Sequence, residues 1–126
     1  MPPRKNPLKL NPLQLRTLTL LQAIARIPGA AGQSANGELV IAQFPQAHGD
    51  HFHLGDAMVS GKDATGLYNE AVWNALTRKG LARSDWPRQI TLTRDGIASD
   101  TGMADEILRR GAALFVKPAI TMTKVD

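Results

Sequence analysis

All three histidines of the chain, His48, His51 and His53, fall within "FPQAHGDHFHLGDAM", with Asp50 and Asp56 among them. Imidazole and carboxylate are the side chains that bind zinc and similar ions, and a zinc site needs three or four of them converging. His48, Asp50, His51 and His53 are therefore the candidate metal ligands, with zinc or nickel as the candidate ion. Whether they converge depends on the element that carries them. On an extended strand His51 and His53 face the same side; on a helix they diverge. The spacing is not that of H-E-x-x-H, whose histidines stand one helical turn apart. The alternatives are a polar loop with exposed or helix-capping histidines, or a proton sensor.

Other chemistry is sparse. The chain has no cysteine, which excludes disulfides, thiolate zinc sites and cysteine nucleophiles. "GKDATG" lacks the spacing of a phosphate-binding loop, and there is no G-x-S-x-G. Ser60, Ser84 and Ser99 have no His–acid companions in a fixed motif. The expectation is a protein that is not an enzyme.

Charge points elsewhere. The net charge is +4, and the cations fall in two zones. Arg4, Lys5, Lys9, Arg16 and Arg26 precede the first acid, Glu38. Arg78, Lys79, Arg83, Arg88 and Arg94 follow later with only Asp85 against them. Asp95, Asp100, Asp105 and Glu106 then form an acidic segment. Basic zones of this kind suit a polyanion partner on one face; the alternative is a solvated mixed surface.

The elements must place these residues. A chain of 126 residues with 43% apolar content suits one domain with a modest core. No apolar run is long enough to span a membrane. "MPPRKNPLKLNP" lacks the apolar centre of a secretory signal, so a cytoplasmic protein is expected. Residues 1–10 read as a flexible basic arm, 11–111 as the domain, and 112–126 as a tail that is disordered or joins another subunit. "NPLQLRTLTLLQAIARIPG" predicts a helix with Asn11 as cap, Pro12 at its first position and Gln14 completing a capping box. Pro28–Gly29 ends it. "GAAGQSANG" reads as a loop and "ELVIAQF" as a strand; "FHLGDAMVS" (Phe52–Ser60) is a strand or one short helix, and the short helix over Leu54–Ser60 is favoured. "GLYNEAVWNALTRKG" is the best amphipathic helix: Tyr68, Val72, Ala75 and Leu76 gather on one side with Trp73 at its edge. "LARS", "DWPR" and "QITLT" predict strand, turn, strand, and a last helix follows, broken or weakened by Gly96 and Gly102.

"LTRKGL" (Leu76–Leu81) and "ITLTRDG" (Ile90–Gly96) resemble the winged helix-turn-helix family, particularly MarR-like transcription regulators. There the recognition helix ends in a charged residue plus "GL", and the second wing strand runs "LT" into a charged "G" helix start. The similarity spans roughly residues 11–100 and is detailed only over 66–96. It implies an α+β fold, mainly α, with a winged helix-turn-helix and a small antiparallel sheet. It supports the helix at Leu54–Ser60, since such folds need one before the recognition helix. It implies a DNA-binding transcription regulator whose partner is double-stranded DNA. A homodimer is expected through the first helix and the C-terminal segment, although the long C-terminal helical pair of that family is missing.

The candidate contacts follow from groove chemistry. Asn74 can bond adenine through two hydrogen bonds, and Arg78 can meet guanine or phosphate. Glu70 can accept from cytosine. Thr65, Asn69 and Thr77 can bond the backbone or bases. Arg83, Trp86 and Arg88 sit at the wing, while Arg4 and Lys5 on the arm can reach phosphate or a minor groove. Each has a plainer alternative: Asn74 and Thr77 as solvated helix residues, Trp86 folded back on the core, Arg83 and Arg88 paired across the hairpin. A winged-helix protein-interaction module without DNA affinity and a metal-binding protein centred on His48–His53 are the competing functions.

Overall fold

The computed structural model describes residues 9–34 and 36–110. The expected arm residues Arg4 and Lys5, and the expected tail 112–126, lie outside the described residues. Leu10, at the end of the expected arm, is buried in the core.

Helix α1 (Pro12–Ala25) starts as its sequence dictates. The Asn11 carboxamide accepts from the Gln14 amide, and the Gln14 side chain accepts from the Asn11 amide. Two of the free first-turn donors are thus satisfied reciprocally. Every residue from Thr17 to Ile24 is buried. α1 is therefore a central helix, touched by α2, β2 and α3. Over that stretch the chain's own elements cover the helix, as expected of a core helix. Thr17 and Thr19 satisfy their buried hydroxyls on the carbonyls of Leu13 and Leu15, and Gln22 donates to the carbonyls of Gly96 and Ser99 at 2.8 Å each.

A four-stranded antiparallel sheet in the order β1-β2-β6-β5 packs on this helix. Its strands are β1 (Ala31–Gln33), β2 (Leu39–Ile41), β5 (Ala82–Asp85) and β6 (Gln89–Leu92). β1 lies in the segment expected to be a loop; small residues pair there because β2 offers a free edge. Between β2 and the next helix come β3 (His51–Leu54) and β4 (Ala57–Ser60), a hairpin extended by β7 (Arg109–Arg110) into a second sheet, β3-β4-β7. A 3₁₀ turn over Gly61–Asp63 then leads to α2 (Glu70–Arg78).

The fold is α+β with antiparallel sheets, and among the described residues it holds four helices. It corrects the sequence reading in two further places. Leu54–Ser60 is not a helix: Leu54 pairs with Ala57 across a two-residue turn whose first residue, Gly55, has φ 64°. Positive φ at that position suits glycine and makes a tight hairpin. The long helix expected at 66–80 begins only at Glu70. The last helix, expected to be broken or weakened at Gly96 and Gly102, is two short ones, α3 (Arg94–Ala98) and α4 (Ala104–Ile107), separated by a turn with Gly102 at φ 72°. The β content is thus larger than one small sheet, and no α-helix lies between β2 and α2.

The core gathers Leu18, Leu20, Leu21 and Ile24 of α1, Ile41, Ile90 and Leu92 of the sheet, Val72, Trp73 and Leu76 of α2, and Val59 of the hairpin. No described helix is long and apolar enough to cross a membrane.

Candidate functional site

The segment with the winged-helix resemblance is built around α2. Asn69 caps it by accepting from the Ala71 amide at 3.0 Å. Val72, Trp73, Ala75 and Leu76 are buried, while Glu70, Ala71, Asn74, Thr77 and Arg78 are exposed. Trp73, expected at the edge of the inner face, is its centre: it is 1% exposed, and its indole donates to the Leu67 carbonyl at 3.0 Å. Tyr68, expected in the inner face, precedes the helix and is 52% exposed, with its hydroxyl donating to Pro45.

The two resembling motifs interlock. Gly80 ends α2 with φ 77°, and Leu81 turns the chain into β5. Thr93, after β6, donates from its side chain to the Gly80 carbonyl (2.7 Å) and from its amide to the Leu81 carbonyl (3.1 Å). Gly96, one turn into α3, lies so close to Leu81 that a Cβ there would stand 2.0 Å from the Leu81 carbonyl oxygen. The glycine in "LTRDG" is a packing requirement and not a helix-weakening accident.

The nominated residues divide into free and engaged groups. Thr65, Glu70, Asn74 and Arg78 are exposed, and Asn74 and Arg78 stand four residues apart on the outer face of α2. Asn69 spends its side-chain oxygen on the cap, and the Thr77 hydroxyl donates to the Trp73 carbonyl at 2.9 Å. On the β5–β6 hairpin, the three nominated side chains are engaged within the chain. Trp86 is folded back, its ring perpendicular to Trp73 with centroids 4.7 Å apart, across a cis Trp86–Pro87 bond. Arg88 bonds both oxygens of Asp85 at 3.1 Å. Arg83 forks onto both oxygens of Glu38, with one bond at 2.6 Å.

The Glu38–Arg83 pair was not legible as a pair in sequence. β6 lies between the strands involved, and Arg83, Thr91 and Val40 stand in register across three strands. Residues opposite one another, and residues two apart on a strand, share a face. Glu38, two before Val40, therefore meets Arg83 over Thr91. The Arg83 hydrogen bonds hold the Glu38 carboxyl below the ordinary glutamate value and raise the arginine.

The histidines occupy the other sheet. His48 and His51 form an isolated antiparallel bridge, with the His48 amide donating to the His51 carbonyl at 2.7 Å and the reverse bond at 3.3 Å. His51 and His53 are two apart on β3. By both relations the three imidazoles share one face, as the strand alternative requires. The His51 and His53 Nε2 atoms are 3.2 Å apart, and the His51 Nδ1 is 3.3 Å from an Asp50 carboxylate oxygen. Ring centroids are 4.8 Å apart for His51–His53, 5.1 Å for His48–His53 and 6.2 Å for His48–His51. Among the described residues no group of three or more His, Cys, Asp or Glu side chains is placed, as the side chains stand, to hold a metal ion. Compared with known proteins, the chain matches no family model, no curated protein and no solved structure.

Proposed function

We propose that this is a winged-helix-like DNA-binding protein, a transcription regulator that lays the outer face of α2 in a major groove. The observation that carries the reading is the two-sided construction of α2. Its inner face is sealed by Trp73 and its neighbours, while Asn74 and Arg78 project outward one turn apart. A groove admits one such helix, and these side-chain types read adenine and guanine edges. The hairpin β5–β6 follows α2 directly, and its second strand pairs with β2, ahead of α2 in the chain, an arrangement that supports reading it as a wing. The fold departs from the family pattern where a β-hairpin and a 3₁₀ turn replace the helix before the recognition helix. Any positioning on the backbone by that missing helix falls instead to Thr65, Lys62 and the end of α2.

The test is a mobility-shift titration of the full chain on mixed duplex DNA over a salt series. Binding through several phosphates weakens steeply, with log affinity falling by about 0.9 per phosphate for each log unit of salt. Arg78→Ala should weaken binding. Absence of any shift at low salt ends this reading.

A specific observation favours a second reading, a protein-interaction module. Both wing arginines are already neutralised, Arg83 by Glu38 and Arg88 by Asp85. A wing built to hold phosphate is better served by free cations. Glu38→Gln separates the two: releasing Arg83 should strengthen DNA binding and steepen the salt slope by roughly one phosphate if the wing meets DNA. In an interaction module it leaves DNA binding absent.

A further inference from the structure

We propose that the hairpin carrying His48, His51 and His53 is a surface site for a divalent transition-metal ion, with His51 and His53 as a two-imidazole chelate and His48 as the third ligand. This is independent of whether α2 meets DNA.

Two imidazole nitrogens bound to one tetrahedral ion at about 2.0–2.1 Å lie roughly 3.3–3.4 Å apart. The Nε2 atoms of His51 and His53 are 3.2 Å apart, so the pair already has the bite of a chelate. The backbone sets this distance. Residues two apart on β3 must project to one side, and the β3–β4 register from His51–Ser60 to Leu54–Ala57 holds the strand extended. The bridge between His48 and His51 then puts a third imidazole on the same face. In a tetrahedral tris-imidazole site, ring centroids lie about 5 Å apart. His48–His53, at 5.1 Å, meets that spacing; His48–His51, at 6.2 Å, exceeds it. His48 is exposed, so its ring is free to turn and close the difference.

Asp50 supplies the supporting contact. Its carboxylate stands 3.3 Å from the His51 Nδ1. A proton on Nδ1 donated to that carboxylate leaves the Nε2 lone pair for the metal and fixes the ring orientation. Without metal, the close Nε2 pair needs one nitrogen as donor and the other as acceptor. A cation between them replaces that single shared proton and satisfies both lone pairs. The fourth position opens to solvent, beside a shallow pocket lined by Asp50, Met58, Ser60, Lys62 and Arg109. Imidazole ligands favour zinc, nickel or copper over magnesium or calcium, and neutral ligands with two cations nearby make the site weaker than a thiolate centre.

The experiment is a calorimetric titration of zinc, and separately nickel, into the full chain freed of metal, followed by histidine-ring NMR. One equivalent of zinc is expected, with the Nε2 resonances of His51 and His53 shifting together. The chain has three histidines in all, so another imidazole site cannot substitute. His53→Ala and His51→Ala should abolish uptake, His48→Ala should weaken it at least tenfold, and Asp50→Asn by about tenfold. His48 and His53 are exposed, so their variants keep the wild-type melting temperature and separate loss of ligand from loss of fold. Magnesium should not bind. The proposal is overturned by no zinc uptake in the wild type at neutral pH, or by uptake that survives His53→Ala.

Discussion

The two sheets of this protein put polar side chains to opposite uses. In the four-stranded sheet, the hairpin's arginines are paired with carboxylates and its tryptophan is turned onto the helix behind. Glu38 takes up Arg83, Asp85 takes up Arg88, and Trp86 lies on Trp73. In the hairpin sheet, three imidazoles share one face, with one another and Asp50 as their side-chain partners among the described residues. The first region is built to hold a helix in place, and the second to present a face. A shared core joins them, since Val59 of β4 and Leu54 of β3 are buried in the same cluster as Trp73 and Leu76.

If that contrast is right, substitutions around α2 cost far more than those on the hairpin. Trp73→Ala removes the largest fully buried side chain and strands the Leu67 carbonyl. It should lower unfolding free energy by about 3–5 kcal/mol in denaturant titration, and a loss below 1 kcal/mol would dissolve the distinction. Gly96→Ala comes next, at about 3 kcal/mol, because a backbone carbonyl blocks the new methyl and cannot swing away. Gly55→Ala, at the hairpin turn, should cost only about 1–2 kcal/mol. Its Cβ meets nothing nearer than the Ile27 side chain at 3.6 Å, so backbone conformation alone opposes it. A comparison of the two glycine variants by thermal unfolding therefore separates packing from φ.

Glu38→Gln should change neutral-pH stability least and pH dependence most. Hydrogen bonds from Arg83 hold the carboxyl below its ordinary value of 4.5. A carboxyl with a lowered folded-state pKa stabilises the protein fully above that ordinary value. The contribution drains away as pH falls through the lowered one. Wild-type melting temperature should therefore drop on acidification more steeply than that of the glutamine variant between about pH 5 and 3. Parallel curves would show that the pair does not couple β5 to the start of β2.

The α2 half was the more legible in sequence. Asn11, Pro12 and Gln14 mark one helix start, and Gly80 and Thr93 bracket the β5–β6 hairpin, because caps and glycines act within a few residues of where they sit. The outward positions of Asn74 and Arg78 follow from helical period alone. The hairpin half was misread because "HFHLGDAMVS" carries runs of only four residues, too short for period to separate strand from helix. The usable signal was Gly55–Asp56 between them, a two-residue hairpin loop, which the winged-helix resemblance outweighed. β1 has no strand composition at all; only its pairing with β2 reveals it. The Glu38–Arg83 fork depends on a register across three strands, and Trp86 on tertiary packing, so neither is encoded locally.

The perpendicular pair of Trp73 and Trp86 has a practical consequence. They are the only two tryptophans in the chain, one on the recognition-like helix and one at the hairpin tip. Indoles this close exchange excitation, so their near-ultraviolet circular dichroism and emission report the tip's seating on the helix as one optical signal. The molecule thus carries its own label-free gauge, set between the two elements that any partner of this face would press on.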